Sequence, residues 1–329
     1  MKSLKDKHGR IISYMRISVT DRCNMRCKYC VPGDGFQAIP HADILSYEEV
    51  LKIVRLASGL GVNKFRITGG EPLVRKGIIK LIGEINSIEG VETTFTTNGL
   101  LLEEYARGLR DAGVKRLNIS IDSMREDRFR DITGGGSLEK VMRGIEKAHS
   151  IGFDPIKLNF VVMKGVNDDE LLDYIGLVKT RPYHARFIEF MPVGDNDWGR
   201  EKFIPSSEIE KMVSDILPLR ADALTEKGSP SRNYNIDGYA GMVGFISPVS
   251  RHFCDSCNRI RLTSDGHIKS CLLRKGEVDI KSAMRNGADD EEIKRLISSA
   301  VMLKPSGHLL DEGEPEGDGR SLPMTQIGG

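Results

Sequence analysis

The sequence predicts an α/β fold built on a parallel β-sheet. Short β-branched runs recur along roughly the first two thirds of the chain, and amphipathic helical stretches separate them. A strand followed by a helix, repeated six times, is typical of parallel βα units, because parallel neighbours need a crossover connection. Such a sheet is either flat and doubly wound or curled toward a barrel, and ligands bind at the carboxyl ends of its strands in both cases.

The elements follow in order along the chain. Strands are predicted at 15–20, 64–68, 92–97, 116–122, 157–163 and 186–190. Helices are predicted at 46–58, 78–88, 101–112, 138–150 and 168–179. The first helix begins with Ser46 as N-cap and Glu49 three residues later, which together form a capping box.

The pattern changes after about residue 203. A short helix is expected at 206–217, followed by a polar loop at 228–232 and hairpin-like β segments. We therefore predict two units, a core of residues 1–203 and a C-terminal extension of residues 204–329 that closes the sheet. The last stretch, 304–329, is rich in Gly, Pro and acidic residues and predicts a frayed tail.

Composition excludes several classes of protein. Lys and Arg number 48 against 47 Asp and Glu, so the net charge of +1 disfavours a nucleic-acid-binding protein. Hydrophobic residues at 39% exclude disorder as the main state. The chain begins with charged residues and contains no apolar run of bilayer length, which predicts a cytoplasmic protein without a membrane partner.

Polar residues collect at the predicted carboxyl ends of the strands, where buried strands prefer Val and Ile. They include the segment Thr68-Gly69-Gly70-Glu71-Pro72, Asn118, Ser120 and Asp122, Lys157 and Asn159, and Arg186, Glu189 and Met191. This concentration predicts a functional site at that rim.

The six cysteines form two groups of three, Cys23, Cys27 and Cys30 near the start and Cys254, Cys257 and Cys271 near the end. Groups of three cannot pair off internally, and disulfide frameworks belong to small secreted domains, so metal or cluster ligation is favoured. The first group holds three thiols within eight residues, enough for three irons of a cubane cluster with the fourth iron open. Structural zinc prefers four ligands, and this loop contains no His.

The second group has a spacing that fits two kinds of site. A zinc ribbon with His252 or His267 as fourth ligand has the same C-x2-C start, and spacing alone does not separate it from a cluster. A chain that already carries one three-cysteine cluster site favours a second cluster here. Arg259 and Arg261 favour it too, because side chains at alternate strand positions point the same way, and two arginines suit an anion beside an open iron.

The C-x3-C-x2-C loop with Tyr29 inside it, together with Gly69-Gly70-Glu71-Pro72, resembles the radical S-adenosylmethionine superfamily. Adding the second cysteine group, Thr97-Asn98-Gly99, the strand 186–191 and the terminal Gly328-Gly329, the chain resembles the GTP 3′,8-cyclase family over nearly its whole length. The resemblance implies an incomplete (β/α)6 TIM-like barrel closed by a C-terminal α+β extension that carries a second iron-sulfur cluster.

The resemblance also implies the chemistry. S-adenosylmethionine at the first [4Fe-4S] cluster would be cleaved reductively, and its 5′-deoxyadenosyl radical would take the C3′ hydrogen of GTP. Bonding of C3′ to C8 would then give 3′,8-cyclo-7,8-dihydroguanosine triphosphate, the first step of molybdenum cofactor biosynthesis. The implied partners are GTP, a flavodoxin or ferredoxin type electron donor, the downstream cyclic pyranopterin monophosphate synthase and a second copy of the chain.

The resemblance also implies the roles of single residues. The first cluster would be bound by Cys23, Cys27 and Cys30, and the second by Cys254, Cys257 and Cys271. S-adenosylmethionine would be contacted by Tyr29, Gly70, Ser120 and Met191, GTP by Arg16, Arg66, Thr96, Lys157, Arg259 and Arg261, and catalysis would involve Arg259, Arg261, Gly328 and Gly329. Taken singly, Arg16 or Lys157 is more often salt-bridged, and Met191 is more often core packing. Two other readings remain, a peptide-modifying radical enzyme with an auxiliary cluster and a non-catalytic iron-sulfur or zinc protein.

Overall fold

The computed structural model describes residues 3–31, 38–193, 199–223, 228–274, 276–308 and 322–328. Its centre is a row of six parallel strands joined in sequence order. They are β1 (Tyr14–Ser18), β2 (Lys64–Thr68), β3 (Glu92–Thr97), β4 (Leu117–Ser120), β5 (Ile156–Val162) and β6 (His184–Glu189). All six predicted strands are confirmed, with ends that differ by a few residues at most.

Helices connect these strands: α1 (Tyr47–Gly59), α2 (Ile78–Asn86), α3 (Leu102–Asp111), α4 (Glu126–Thr133), α5 (Leu138–Ser150) and α6 (Leu171–Thr180). The predicted capping box at α1 is confirmed, since Glu49 N donates to Ser46 Oγ at 3.1 Å and Ser46 N donates to Glu49 Oε2 at 2.7 Å. The sequence analysis missed α4, because Phe129 and Ile132 are its only large buried apolar residues and leave little periodicity to detect.

The C-terminal extension continues the same sheet at both edges. Strand β9 (Met242–Ile246) pairs parallel with β6, and β10 (Arg259–Leu262) pairs parallel with β1. The other elements are α7 (Ser206–Ser214), β7 (Leu219–Ala221), β8 (Ser231–Ile236), β11 (His267–Lys269), β12 (Glu277–Asp279), α8 (Lys281–Arg285), α9 (Asp290–Met302) and α10 (Met324–Ile327). The strand order of the sheet is β12-β11-β10-β1-β2-β3-β4-β5-β6-β9-β8-β7.

This architecture confirms the predicted α/β class, with an incomplete barrel of parallel strands and an α+β extension. The predicted boundary between the core and the C-terminal extension, after residue 203, lies between β6 and α7. The division into two units stays a prediction. Among the described residues, no helix has the length and apolar character needed to cross a bilayer.

Strand alternation separates the hydrophobic core from the site. Successive side chains of a strand point to opposite faces. Met15 and Ile17 are therefore buried in the core, whereas Arg16 between them lines an internal cavity. In β10, Ile260 is likewise fully buried between two cavity-lining arginines.

The expectation of a frayed C-terminal tail is wrong for residues 322–328. Leu322 and Ile327 are buried and pack with Val193, and Ser264 N donates to Gln326 O at 3.2 Å. The acidic and glycine-rich composition that predicted fraying belongs to 309–321, which lies outside the described residues, as does Gly329. The apolar residues after it supply the burial that orders the segment.

Candidate active site

The first cysteine group follows β1 and is held by the glycine pair that follows β2. Gly70 N donates to Thr20 O at 2.7 Å, and Glu71 N donates to Arg22 O at 2.8 Å. A Cβ on Gly70 would lie 2.3 Å from Arg22 O, a distance that no side chain tolerates. Glycine is therefore required at this position for the chain to approach the cysteine loop so closely.

Glu71 joins this turn to the end of β3. Its buried carboxylate accepts hydrogen bonds from Asn98 N at 2.7 Å, Leu73 N at 3.0 Å and Thr97 Oγ1 at 3.0 Å. Burial raises the pKa of Glu71 to about 7, against the lowering effect of these hydrogen bonds. Asn98 Nδ2 lies 3.6 Å from Cys23 Sγ, so the Thr97-Asn98-Gly99 turn contacts both the glycine pair and a predicted cluster ligand.

The three thiols of the first group are free and partly buried. Burial raises the pKa of Cys30 to about 12, with further contributions from Cys23 and Asp122, and it also raises that of Cys27. A cysteine binds metal as its thiolate, and a raised pKa disfavours the thiolate. These cysteines therefore become ligands only when a cationic centre is bound beside them. Three thiols on one loop are the donor set that three irons of a cubane cluster need, with the fourth iron left open, so these residues fit such a cluster.

Tyr29 anchors the same loop to the far side of the rim. Its hydroxyl donates to Asp122 Oδ2 at 2.5 Å, and Asp122 Oδ1 accepts from Val161 N at 3.0 Å. Burial raises the pKa of Asp122 to about 6. Ser120 is half-buried at the end of β4, two residues before Asp122. The residues predicted to bind S-adenosylmethionine at this end of the barrel thus share one rim with the first cysteine group.

A cavity of about 370 Å³ lies inside the barrel and reaches the second cysteine group. All three of these cysteines line it, and no Asp or Glu does so among the described residues. Its eight basic side chains are Arg16, Lys64, Arg66, Lys157, Arg186, Arg259, Arg261 and Lys304. A chain of almost zero net charge thereby concentrates positive charge at one place.

Sheet register brings these cations together. Arg16 is the direct partner of Arg66 on one side and of Arg261 on the other. Burial lowers the pKa of Arg261 to about 10, with Arg259 lowering it further and the Cys271 thiolate opposing this. The pKa of Arg16 is also lowered, first by burial and then by the nearby Arg261. Buried like charges at this density are destabilising unless an anion binds among them.

Tyr14 lies at the centre of the cation group. Its hydroxyl accepts a hydrogen bond from Arg66 Nε, and Lys64 Nζ and Arg259 Cζ lie 5.8 Å and 5.7 Å from its ring centroid. Burial alone would raise its pKa, but the cations Arg66, Arg16 and Arg259 lower it to about 8. Thr96, a predicted GTP contact, lies outside the lining and accepts from Arg66 Nη1 at 3.2 Å.

The second cysteine group is arranged for a cluster rather than for zinc with His267. That imidazole lies 3.4 Å from Asp265 Oδ1 and 3.9 Å from Asp279 Oδ2, and it does not line the cavity. His252 does line the cavity, with its ring centroid 4.9 Å from that of His308. All three cysteines of this group line the same cavity. Burial raises the pKa of Cys254 to about 11, with Cys271 and Cys257 adding to the effect.

The C-terminal segment enters the same cavity. Arg261 Nη1 donates to Gly328 O at 2.5 Å. Gly328 has φ +83°, and a Cβ there would lie 2.4 Å from Thr68 Cγ2. Gly328 therefore occupies a space between β2 and β10 that admits no side chain.

The structure brings most predicted residues into two neighbouring groups. Arg16, Arg66, Lys157, Met191, Arg259 and Arg261 line the cavity with the second cysteines, whereas Tyr29, Gly70 and Ser120 lie outside this lining. The sequence analysis missed Tyr14, Lys64 and Lys304. Period-two alternation could have identified the first two, since each precedes a predicted arginine by two residues. Nothing in the local sequence marks Lys304.

Comparisons with known proteins agree with this geometry. The Radical SAM superfamily model matches residues 17–178, and the Molybdenum Cofactor Synthesis C model matches residues 183–310. The GTP 3′,8-cyclase of Alkaliphilus oremlandii (strain OhILAs) is 47% identical over 99% of this chain and 100% of its own. The GTP 3′,8-cyclase of Thermodesulfovibrio yellowstonii is 45% identical, again over 99% of this chain and 100% of its own.

A solved structure of Streptococcus suis SuiB bound to S-adenosylmethionine has a similar fold. Its TM-score is 0.59 at 14% identity, with 96% of this chain and 76% of that chain covered. The sequence relatives extend over the complete cavity and both cysteine groups. The chain therefore belongs to the GTP 3′,8-cyclase family of the radical S-adenosylmethionine superfamily.

Proposed function

We propose that this chain converts GTP to (8S)-3′,8-cyclo-7,8-dihydroguanosine 5′-triphosphate, the first step of molybdenum cofactor biosynthesis. Its cofactors are two [4Fe-4S] clusters and S-adenosylmethionine. The observation that supports the substrate best is the cavity, in which eight basic side chains and no carboxylate from the described residues surround the second cysteine group.

The triphosphate binds among the cations of the cavity. Arg16, Arg66 and Lys157 extend from three different strands, so they reach a polyanion from several directions. Arg259 and Arg261 reach it from β10. Charge-assisted hydrogen bonds of this type are worth about 1.5–3 kcal/mol each. Thr96 orients Arg66 through the hydrogen bond described above.

The first cysteine group holds the cluster at which S-adenosylmethionine is bound. When bound, this cluster supplies the electron that cleaves the sulfonium and yields the 5′-deoxyadenosyl radical. Tyr29, Gly70, Ser120 and Met191 hold S-adenosylmethionine around the loop. Gly70 admits a close approach of backbone, and Tyr29 is fixed by its bond to Asp122.

Cys254, Cys257 and Cys271, which line the cavity, would hold the second cluster. Arg261 and Gly328, joined by their hydrogen bond, complete the catalytic set with Arg259. Gly329, the fourth residue predicted for catalysis, lies outside the described residues. The extension, residues 204–329, thus contributes the second cluster and the tail, while the core contributes the first cluster.

The wider setting of the enzyme is also a proposal. Cleavage of S-adenosylmethionine needs an electron from a carrier, for which we propose a flavodoxin or ferredoxin. The cyclised nucleotide passes to cyclic pyranopterin monophosphate synthase in the cytoplasm. A homodimer is the expected assembly.

Anaerobic turnover tests the function. Protein with both clusters restored is incubated with S-adenosylmethionine, dithionite and GTP, and the products are separated by liquid chromatography and mass spectrometry. We expect equal amounts of 5′-deoxyadenosine and cyclised nucleotide, with about eight irons per chain. 5′-Deoxyadenosine without the cyclised nucleotide would refute the substrate and favour another radical enzyme. Neither product from fully loaded protein would refute the activity.

A further inference from the structure

The segment Lys304–His308 follows α9 and contacts the backbone beside two cysteines of the second group. Lys304 Nζ donates to Arg259 O and to Ser270 O, both at 2.8 Å. Arg259 comes two residues after Cys257, and Ser270 directly precedes Cys271. One ammonium group therefore joins the two chain segments that carry Cys257 and Cys271.

Lys304 also lies in the wall of the cavity that the three cysteines line, and its side chain is buried there. A buried ammonium costs several kcal/mol of desolvation unless it has partners of opposite polarity. The two carbonyl oxygens are such partners, so this position is built for a positive charge rather than for packing alone.

The third ligand is attached through the N-terminal segment. Arg10 Nη1 donates to Cys254 O at 2.7 Å and to Ser306 O at 3.3 Å, while Nη2 donates to Pro305 O at 2.5 Å. Asp6, whose side chain is fully buried, accepts from Arg10 Nε at 2.5 Å and holds this guanidinium in place.

We propose that Lys304 and Arg10 form a cationic clamp that positions the second cluster and raises its reduction potential. The cluster with three thiolates becomes more negative when it gains an electron. Cations held beside the ligand sulfurs stabilise the reduced form relative to the oxidised form. The proposal depends on the proposed function only in that the second cysteine group holds a cluster.

The test is a potentiometric titration of the reconstituted holoenzyme followed by electron paramagnetic resonance. Addition of S-adenosylmethionine changes the signal of the first cluster and so identifies the second. In Lys304→Met we expect about eight irons per chain and a tenfold lower equilibrium constant for reducing the second cluster. A tenfold lower equilibrium constant corresponds to a reduction potential lower by about 59 mV for one electron. The potential of the first cluster should not change.

Two further variants serve as controls. Lys304→Arg keeps the charge and should restore most of the potential lost in Lys304→Met. Lys294→Met removes a lysine from the outer part of α9, where it pairs with Glu291, and should leave both potentials unchanged. Full iron content with an unchanged second potential in Lys304→Met would overturn the clamp.

Loss of half the irons from Lys304→Met but not from Lys304→Arg would support the clamp through its positioning role. If both variants lose iron, Arg10→Gln decides, because it removes the guanidinium that donates to Cys254 O, Pro305 O and Ser306 O and leaves Lys304 unchanged. We then expect about tenfold faster loss of half the irons to a chelator, and an unchanged rate would overturn the proposal. A shifted potential in protein that does not cyclise GTP would refute the proposed function and leave the clamp intact.

Discussion

Replacing Gly328 with alanine should stop cyclisation while leaving both clusters in place. Gly328 has φ +83° and ψ 108°, a conformation that side chains rarely adopt, and its carbonyl accepts from Arg261. The added Cβ would lie 2.4 Å from Thr68 Cγ2, so the tail has to leave its position. Arg261 would then lose the acceptor that holds its guanidinium in the cavity wall.

The size of the effect follows from the lost contact, because displacement of the tail relieves the strain at residue 328. The lost hydrogen bond from a charged donor costs about 1.5–3 kcal/mol. If the positioned tail is required in the rate-limiting step, this loss predicts that kcat falls by about 10- to 150-fold. Iron content and the formation of 5′-deoxyadenosine should persist, because no residue of the first cysteine loop changes.

The assay is single-turnover formation of the cyclised nucleotide, measured against 5′-deoxyadenosine in the same samples. Gly90→Ala is the matched control, since Gly90 has φ +75° and nothing lies within 4 Å of the added Cβ. It carries the same type of backbone strain far from the site and should keep its activity. Thr68→Ser removes the colliding methyl group, so adding it to Gly328→Ala should recover about tenfold of the loss.

Normal cyclisation by Gly328→Ala would refute the assignment of the tail to catalysis. Equal loss of 5′-deoxyadenosine and cyclised product would place the defect at the first cluster instead. Failure of Thr68→Ser to restore any activity would show that the collision with Thr68 is not the cause.

Three other predictions concern charge and stability. The pKa of Tyr14 is lowered to about 8, so its tyrosinate accumulates above that pH and competes with the triphosphate for Arg66, Arg16 and Arg259. The Kd for GTP should rise about tenfold from pH 7 to pH 9 in anaerobic calorimetry. The Tyr14→Phe variant should lose this pH dependence. A Kd of the wild-type protein that does not change with pH would contradict the charge on Tyr14. Arg259→Ala should keep about eight irons and weaken GTP binding by about 10- to 150-fold in equilibrium binding, and loss of iron would mean that this arginine is structural. Ser46→Ala should lower the free energy of unfolding by about 1 kcal/mol in urea titrations at unchanged slope, because it removes the N-cap of α1, and an unchanged midpoint would contradict that role.

Much of the fold could be predicted from the sequence because its signals are local. The six core strands were identified by β-branched runs, and α1 by a capping box contained within four residues. Helix α4 was missed because it buries few apolar side chains. The tail was predicted to fray because its composition does not show that Leu322 and Ile327 pack against a distant strand end.

The sequence by itself determined the chemistry available to this protein. The spacing of Cys23, Cys27 and Cys30 and the Gly69-Gly70-Glu71-Pro72 turn are short-range features, and they indicate an open-iron cluster before any folding is considered. Family resemblance then supplied the substrate class.

Only the tertiary structure decided where the charges meet. Arg16 and Arg261 are far apart in the chain and become neighbours through the parallel pairing of β1 with β10. Lys304 joins them from the end of a helix, and Gly328 from the last segment of the chain. Sheet register and long connections determine such contacts, and no local pattern of residues encodes them.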